Sequence, residues 1–235
     1  HLQAQTHDGL LPWLKGNLIP PFLEHMSFRL GNQLFFIRVD DVDGRVVGPG
    51  NPDGFRTIAK GCDGRACRMP MRFNGETWKT VVPGWGLLDD LTGIPIDPLS
   101  LVSDQNIEMT EWEVQGFAVQ IVRDHIVSDL GYELMSAQTH PEVNPSLWFV
   151  GKNGPEWVIV RPIKFPERIA PLPSNILEIA ESCAHLSTKG NFASVAVAGA
   201  EDAFERTDDV PVIPLWRGHG IDYHFEGLSV LADAP

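Results

Sequence analysis

The segment between Thr110 and Gly131 constrains the fold most, because it has the pattern of one capped amphipathic helix. Thr110 and Glu113 form a capping box, in which the Thr hydroxyl accepts a bond from the N3 amide while the Glu carboxylate accepts one from the N-cap amide. Apolar residues recur on one face at four-residue spacing, at Val114, Ala118, Val122, Ile126 and Leu130. Gly131 suits the C′ position that ends a helix. The pattern predicts a helix with one buried face.

Strand patterns follow the helix, separated by turns that contain Pro, Asn and Gly. Three strands are predicted, over residues 132–138, 146–150 and 156–161. A second helix is predicted over residues 175–186 with Ser174 as its cap, followed by a strand over residues 191–198. Two terminal strands are predicted, over residues 212–216 and 221–225.

The N-terminal part of the chain is predicted to be rich in β-hairpins. Gly31-Asn32 and Asn74-Gly75 each stand between apolar runs, and these residue pairs tolerate the positive φ of tight turns. Residues 40–54 are rich in Asp, Gly and Pro and are predicted to form a loop. Further along the chain, a helical turn is predicted near residues 87–91. Asp40, Asp41 and Asp43 resemble a calcium loop but lack its closing Glu, which favours a solvated turn. We therefore predict a β-rich region over residues 1–105 and a second region over residues 106–235.

Charge and cysteine content restrict the class of partner. The chain has 18 basic and 31 acidic residues, a formal net charge of −13, and no basic block. Proteins that hold nucleic acid need clustered Lys and Arg, so a protein partner or a homo-oligomer is expected instead.

The three cysteines give no disulfide framework, which favours a reducing, cytoplasmic location. No apolar run approaches the roughly 20 residues that a membrane helix requires, so no membrane association is expected.

The order of elements over residues 110–198 is helix, three strands, helix, strand. This order, together with the DLGYEL step from helix to strand, resembles the core of the PD-(D/E)XK restriction-endonuclease-like superfamily. The resemblance implies an α+β fold, in which the β-rich N-terminal region precedes an αβββαβ nuclease-like core with a mixed sheet. Members of this superfamily cleave phosphodiesters with a divalent metal. They use a carboxylate at the start of the second strand and a carboxylate and a Lys two residues apart on the third.

The residues at the corresponding positions do not supply that chemistry. Residues 144–146 contain no Asp, and the third-strand pair falls on Ile159 and Arg161. Ile cannot bind a metal, and Arg lacks the compact ammonium of Lys. One reading is a nuclease-like scaffold without a catalytic site or cofactor, which acts through protein binding or assembly. The alternative is a divergent phosphodiesterase that uses Mg²⁺ with Glu111 and Arg161, its ligands having moved to residues such as Glu142, Glu156 or Lys164.

The stretch from Arg217 to Gly227 offers a second candidate site. On a strand, Asp222, His224 and Glu226 would share one face and could bind a metal. The simpler reading is that these three face water while Ile221, Tyr223 and Phe225 face inward. A metal hydrolase centred on His219, Asp222 and His224 is a third option. Candidate binding residues are Trp148, Lys164 and His219.

Overall fold

The computed structural model describes residues 1–6, 11–15, 25–48, 51–199, 204 and 213–231. The chain divides into two compact units, His1–Ile107 and Glu108–Pro235. Both combine helices with sheets, so the predicted α+β class is confirmed. Within the described ranges, no helix has the length and apolar character needed to cross a membrane.

In its described residues, the first unit is a sheet with one α-helix. Its strands are β1 (Trp13–Lys15), β2 (Met26–Leu30), β3 (Gln33–Asp41), β4 (Arg65–Phe73), β5 (Trp78–Thr80), β6 (Leu87–Asp89) and β7 (Pro95–Ile96), and its helix is α1 (Pro52–Gly61). The described strands lie in the order β1-β2-β3-β4-β6-β7, with β5 also paired to β4. β3 and β4 are parallel, and the other pairs are antiparallel.

Both predicted hairpins are present. Leu30 pairs with Gln33, so Gly31-Asn32 is the two-residue turn between β2 and β3, and Gly31 has the positive φ of 55° that such a turn needs. The turn at Asn74 is longer than predicted, because Phe73 pairs with Trp78. The Asn74 side chain accepts bonds from the amides of Glu76 and Thr77, and these bonds hold a four-residue connection.

Two local predictions for this unit are wrong. The predicted loop over residues 40–54 ends early, because α1 begins at Pro52, with the Asn51 side chain capping the amide of Asp53 at 3.0 Å. The helix joins the parallel strands β3 and β4, which need a crossover of this kind. The predicted helical turn at residues 87–91 is strand β6 followed by a turn, in which the Asp89 carboxylate accepts from the amide of Thr92 at 2.8 Å.

The second unit places its helices and strands in the predicted order. The helices are α2 (Glu111–Asp124), which continues as a π-helical turn (His125–Asp129), and α3 (Ile176–Cys183). The strands are β8 (Glu133–Ala137), β9 (Leu147–Gly151), β10 (Gly154–Lys164), β11 (Gly190–Ala198), β12 (Asp222–His224) and β13 (Ser229–Val230). Up to β11 the order is αβββαβ. Residues 213–216 form no strand, although Trp216 makes a single bridge with Glu108; residue 212 lies outside the described residues.

The sheet of the second unit is mixed. Its described strands lie in the order β12-β11-β10-β9-β8, with β13 also paired to β11. β10 and β11 are parallel, while β8–β9, β9–β10 and β11–β12 are antiparallel. Helices cover both faces of β10, which explains its continuous apolar run. Val158 and Val160 pack with Val114 of α2, and Ile159 packs with Ile179 of α3.

The capping box at the start of α2 is present as predicted. The amide of Glu113 donates to the Thr110 hydroxyl at 3.3 Å, and the amide of Thr110 donates to a Glu113 carboxylate oxygen at 2.9 Å. Gly131 has a φ of 69°, as expected for a residue that ends a helix. The local sequence therefore defines both the beginning and the end of this helical segment.

Candidate functional site

The end of β10 meets the beginning of α2 in a group of three charged residues, Glu108, Glu111 and Lys164, called here the Glu–Lys cluster. The Lys164 ammonium lies 3.0 Å from a carboxylate oxygen of Glu111 and 3.4 Å from one of Glu108. Desolvation would lower the pKa of Lys164, but its bonds to the two carboxylates outweigh that effect and raise the pKa above its usual value. The side chains remain partly exposed, so the cluster is open to solvent.

The alternation of β10 decides which residues stand on the side of the Glu–Lys cluster. Val158 and Val160 face α2, as does Lys164, whereas Ile159 packs on the opposite face against α3. Ile159 therefore does not face the helix that carries Glu111. Arg161 is likewise not joined to Glu111: one of its terminal nitrogens donates to the Asn144 side chain at 2.9 Å. Partial burial lowers the pKa of the Arg161 guanidinium.

A buried ion pair lies beside the cluster and was not predicted. Arg217 donates two bonds to the Glu113 carboxylate, at 2.9 Å and 2.8 Å, in the bidentate geometry that Arg favours. The Arg217 side chain is 2% exposed and that of Glu113 is 9% exposed. The same carboxylate completes the capping box of α2. Glu113 is thus committed to structural bonds, which a ligand would have to displace.

Buried polar side chains also fix the middle of β10. The Gln115 amide donates to the carbonyl of Val160 at 3.2 Å, and the Ser146 hydroxyl accepts from the amide of Val160 at 3.2 Å. Both side chains belong to buried residues. The sheet beneath the Glu–Lys cluster is therefore closed by hydrogen-bonded and apolar packing.

The three C-terminal residues predicted as metal ligands do not converge into a metal site. His224 lies 3.1 Å from Glu226, while the Asp222 carboxylate accepts from the amide of Tyr223 at 2.9 Å. No group of three His, Cys, Asp or Glu side chains able to hold a metal occurs anywhere in the described part of the chain. Ile221 and Phe225 pack against the core of the second unit, as the simpler reading requires. Tyr223 was expected to face inward but is 49% exposed.

The remaining predicted binding residues are dispersed. Trp148 lies on β9 and packs against the cluster of apolar residues under α3, so its ring is partly buried. His219 is exposed in the turn after Trp216, and its backbone amide donates to the carbonyl of Trp216 at 3.2 Å. The three cysteines are buried. Burial, with a contribution from Asp89, raises the pKa of Cys67 to about 12, which makes its thiol unreactive at neutral pH.

The Glu113–Arg217 pair was accessible to sequence reasoning only in part. The sequence predicts Glu113 as a capping residue, and Arg217 lies in the RGHGIDYHFEG stretch that contains the predicted metal ligands. The two residues are 104 positions apart, so no local spacing signal connects them. The position of Arg217 directly after the apolar residues Leu215 and Trp216 is the local feature that favours burial of its side chain.

Comparison with known proteins gives a family and no assigned activity. No curated protein matches the chain, and no solved structure matches it. A family model described as a domain of unknown function (DUF8840) matches residues 112–231, from the first turn of α2 to the residue after β13. This match spans just over half of the 235 residues, and the chain belongs to the DUF8840 family.

Proposed function

We propose that the second unit is a nuclease-like scaffold without a standard active site, which acts through protein binding or assembly. One observation carries the proposal. From Val158 onward, the residues of β10 that alternate onto the side of α2 are Val158, Val160, Pro162 and Lys164, and these contain no carboxylate. Glu156 shares their face, but it lies about 26 Å along the strand from Lys164 and accepts a bond from the Asn191 side chain at 3.2 Å. A divalent metal held between this strand and α2 would lack its central oxygen ligand.

The strand order supports the nuclease-like part of the proposal. An antiparallel β8–β9–β10 meander is followed by α3 and by β11, which is parallel to β10. The resemblance to the PD-(D/E)XK superfamily calls for a carboxylate and a Lys two residues apart on the third strand. Counted on the side of α2, these positions are Pro162 and Lys164 rather than Ile159 and Arg161. On this alignment the Lys is retained and the carboxylate is replaced by Pro.

The Glu–Lys cluster supports the absence of metal chemistry. Glu108 and Glu111 share the ammonium of Lys164, so a metal ion would have to bind beside a positive charge. The third nearby carboxylate, that of Glu113, is held by Arg217. The cluster thus resembles a solvent-exposed ion-pair network more closely than a set of free ligands.

The cluster also defines the rival function. A Glu on the helix and a Lys at the end of the third strand, 3.0 Å apart, are two of the groups that a divergent phosphodiesterase would use. Such an enzyme would need Mg²⁺ and a second carboxylate, for which Glu108 is the nearest candidate. The net charge of −13 disfavours a nucleic-acid substrate.

The scaffold proposal predicts no metal-dependent cleavage. The full chain, incubated with Mg²⁺ or Mn²⁺ and with single- and double-stranded DNA and RNA, is expected to release no more product than Glu111→Ala and Lys164→Ala. The reason is that the part of β10 nearest to Glu111, from Val158 to Lys164, supplies no carboxylate for the metal. Glu178→Ala, which removes an exposed carboxylate on α3, is the matched control. Cleavage that needs the metal, survives in the control and disappears in both cluster variants would establish the phosphodiesterase instead.

The assembly part rests on exposed apolar side chains around α3. Ile169 is 76% exposed, Leu172 is 52% exposed and Leu177 is 63% exposed. Exposed apolar side chains that form one contiguous patch mark contact surfaces between proteins, and the proposal is that these three form such a patch.

We predict that the purified chain self-associates and that Leu177→Glu weakens this association, because a buried carboxylate in an apolar interface is unfavourable. Light scattering after size-exclusion chromatography, over a range of protein concentrations, measures the mass against the 26.0 kDa monomer. Val230→Glu is the control, since Val230 is 81% exposed but lies on β13. A constant monomer mass at all concentrations, or equal effects of both substitutions, would contradict self-association through this segment.

A further inference from the structure

A surface cavity of about 490 Å³ lies in the first unit, at the carboxyl ends of the parallel strands β3 and β4. Its volume falls within the range of small-molecule sites. Both charged and apolar side chains line it. The residues that matter here are Arg38, Asp40, Asp41, Val46, Val47 and Arg68.

The parallel pairing of β3 and β4 brings the charges together. Arg38 and Arg68 are direct partners across the two strands, and Asp40 follows two residues after Arg38 on the same face. Phe36, two residues before Arg38, lies on that face too and contacts the ring of His25. The face is therefore apolar near the start of β3 and charged near its end. Ligands commonly bind at the carboxyl ends of parallel strands, where the chain turns away from the sheet.

The loop after β3 forms the apolar wall of the cavity. The Asp41 carboxylate accepts bonds from the amides of Asp43, Arg45 and Val46, at 3.0, 2.8 and 3.0 Å. Burial opposes ionisation of Asp41, but these amide bonds outweigh it and hold its pKa below the usual value. Asp41 thus shapes the loop that carries Val46 and Val47, and its oxygens are already occupied.

Arg38, Asp40 and Arg68 retain unused hydrogen-bonding capacity. Arg38 Nε lies 3.5 Å from Asp40, and the nearest Arg68 nitrogen lies 3.9 Å from Asp40. Neither contact has the geometry of a hydrogen bond, and the Nε atoms of both arginines are buried without a bond within the described residues. Buried donors of this kind are costly unless a group accepts hydrogen bonds from them.

A second carboxylate holds Arg68 in place. Arg68 Nε lies 3.4 Å from Asp90, whose side chain is 2% exposed and accepts a hydrogen bond from Arg56 of α1. The buried Asp90 thereby lies against the Nε of Arg68, and Arg68 itself lines the cavity. Arg68 is thus restrained by a neighbouring carboxylate, as residues in binding sites commonly are.

We propose that this cavity binds a small zwitterion of the α-amino-acid class with an aliphatic side chain. The carboxylate accepts from the Arg38 and Arg68 guanidiniums, the ammonium donates to Asp40, and the aliphatic group contacts Val46 and Val47. A zwitterion matches the lining, since two Arg and two Asp give it no net charge. A purely anionic ligand would leave the Asp40 carboxylate facing a like charge.

The test uses isothermal titration of the full chain with L-valine, L-leucine and L-methionine. At least one is expected to bind, while 4-methylpentanoate, which lacks the ammonium, and 3-methylbutylamine, which lacks the carboxylate, bind at least about tenfold more weakly. Arg68→Gln is expected to weaken amino-acid binding by about tenfold or more. Asp40→Asn is expected to remove the preference for leucine over 4-methylpentanoate, a change that loss of folding would not produce.

Arg65→Gln is the matched control, because Arg65 is exposed at the opposite end of β4, and circular dichroism verifies that each variant is folded. Absence of binding by all three amino acids up to about 10 mM would overturn the proposal. Equal binding of leucine and 4-methylpentanoate, or binding of inorganic phosphate in preference to both, would also overturn it and assign the cavity to simple anions.

Discussion

Replacing Arg217 with Met is expected to destabilise the second unit by about 3–5 kcal/mol, the typical cost of leaving one member of a buried ion pair without its partner. The Glu113 carboxylate would stay at the start of α2, where its side chain is only 9% exposed, without the two bonds that now compensate its desolvation. Hydrogen–deuterium exchange in increasing urea gives the free energy of opening for peptides from β9, β10 and β11. Peptides from β2–β4 of the first unit serve as the internal reference.

Two further variants separate the pair from the individual side chains. The double variant with Glu113→Gln and Arg217→Met is expected to be less destabilised than Arg217→Met alone, because no unpaired charge remains buried. Arg123→Met is the control, since Arg123 pairs with Asp124 at a more exposed position on α2 and such pairs contribute at most about 1 kcal/mol. Equal losses in Arg123→Met and Arg217→Met would show that the burial of the Glu113–Arg217 pair carries no special weight.

Acidification between about pH 6.5 and pH 4 is expected to destabilise the first unit through His25. Burial, with a smaller effect of Lys15, lowers the pKa of His25 from 6.5 to about 4. Between these two values the unfolded chain binds a proton that the folded chain does not, so the free energy of unfolding falls as the pH falls. The contribution is complete above pH 6.5 and amounts to on the order of 3 kcal/mol when lost. Exchange measurements on peptides from β2–β4 at pH values across this range, corrected for the intrinsic rate, give the slope.

The variant His25→Phe isolates this contribution from the titration of carboxylates. His25 packs against the rings of Phe36 and Phe55, with centroid distances of 5.5 Å and 6.0 Å, so an aromatic apolar side chain suits the site. Its Nδ1 is buried without a hydrogen bond among the described residues, so the substitution removes no bond at that atom. Subtracting the pH profile of the variant from that of the natural chain should leave a change confined to this window. Identical profiles would mean that His25 does not control it.

The sequence predicted best where the signal was local. Thr110, Glu113 and the four-residue spacing of Val114 and Ala118 predicted α2 because capping and helical periodicity depend on residues within a few positions of one another. The same holds for the Gly31-Asn32 turn. Helix α1 also has a local signal, because Asn51 is followed by Pro52. This signal lies directly after a stretch rich in Asp and Gly, so the predicted loop over residues 40–54 includes the first turn of the helix.

The candidate site is harder to predict from the sequence than the helices and turns are, because its geometry depends on which face of a buried strand packs against which helix. The run Trp157–Val160 is apolar on both faces, so alternation in the sequence gives no reference to choose between α2 and α3. Without that reference, the resemblance assigned the carboxylate and Lys positions of the third strand to Ile159 and Arg161. Val158 and Val160 pack on α2, so the proposed alignment assigns these positions to Pro162 and Lys164.

By itself, the sequence determined the α+β class, the capped helix α2, the two hairpins and the αβββαβ order of the second unit. All of these follow from residues close together in the chain. The tertiary structure alone decided that Lys164 meets Glu108 and Glu111, that Arg217 is buried on Glu113, and that Arg38 and Arg68 stand side by side. Each of these contacts joins residues distant in sequence. Their formation depends on strand pairing and on the burial of one face, which no short window of residues encodes.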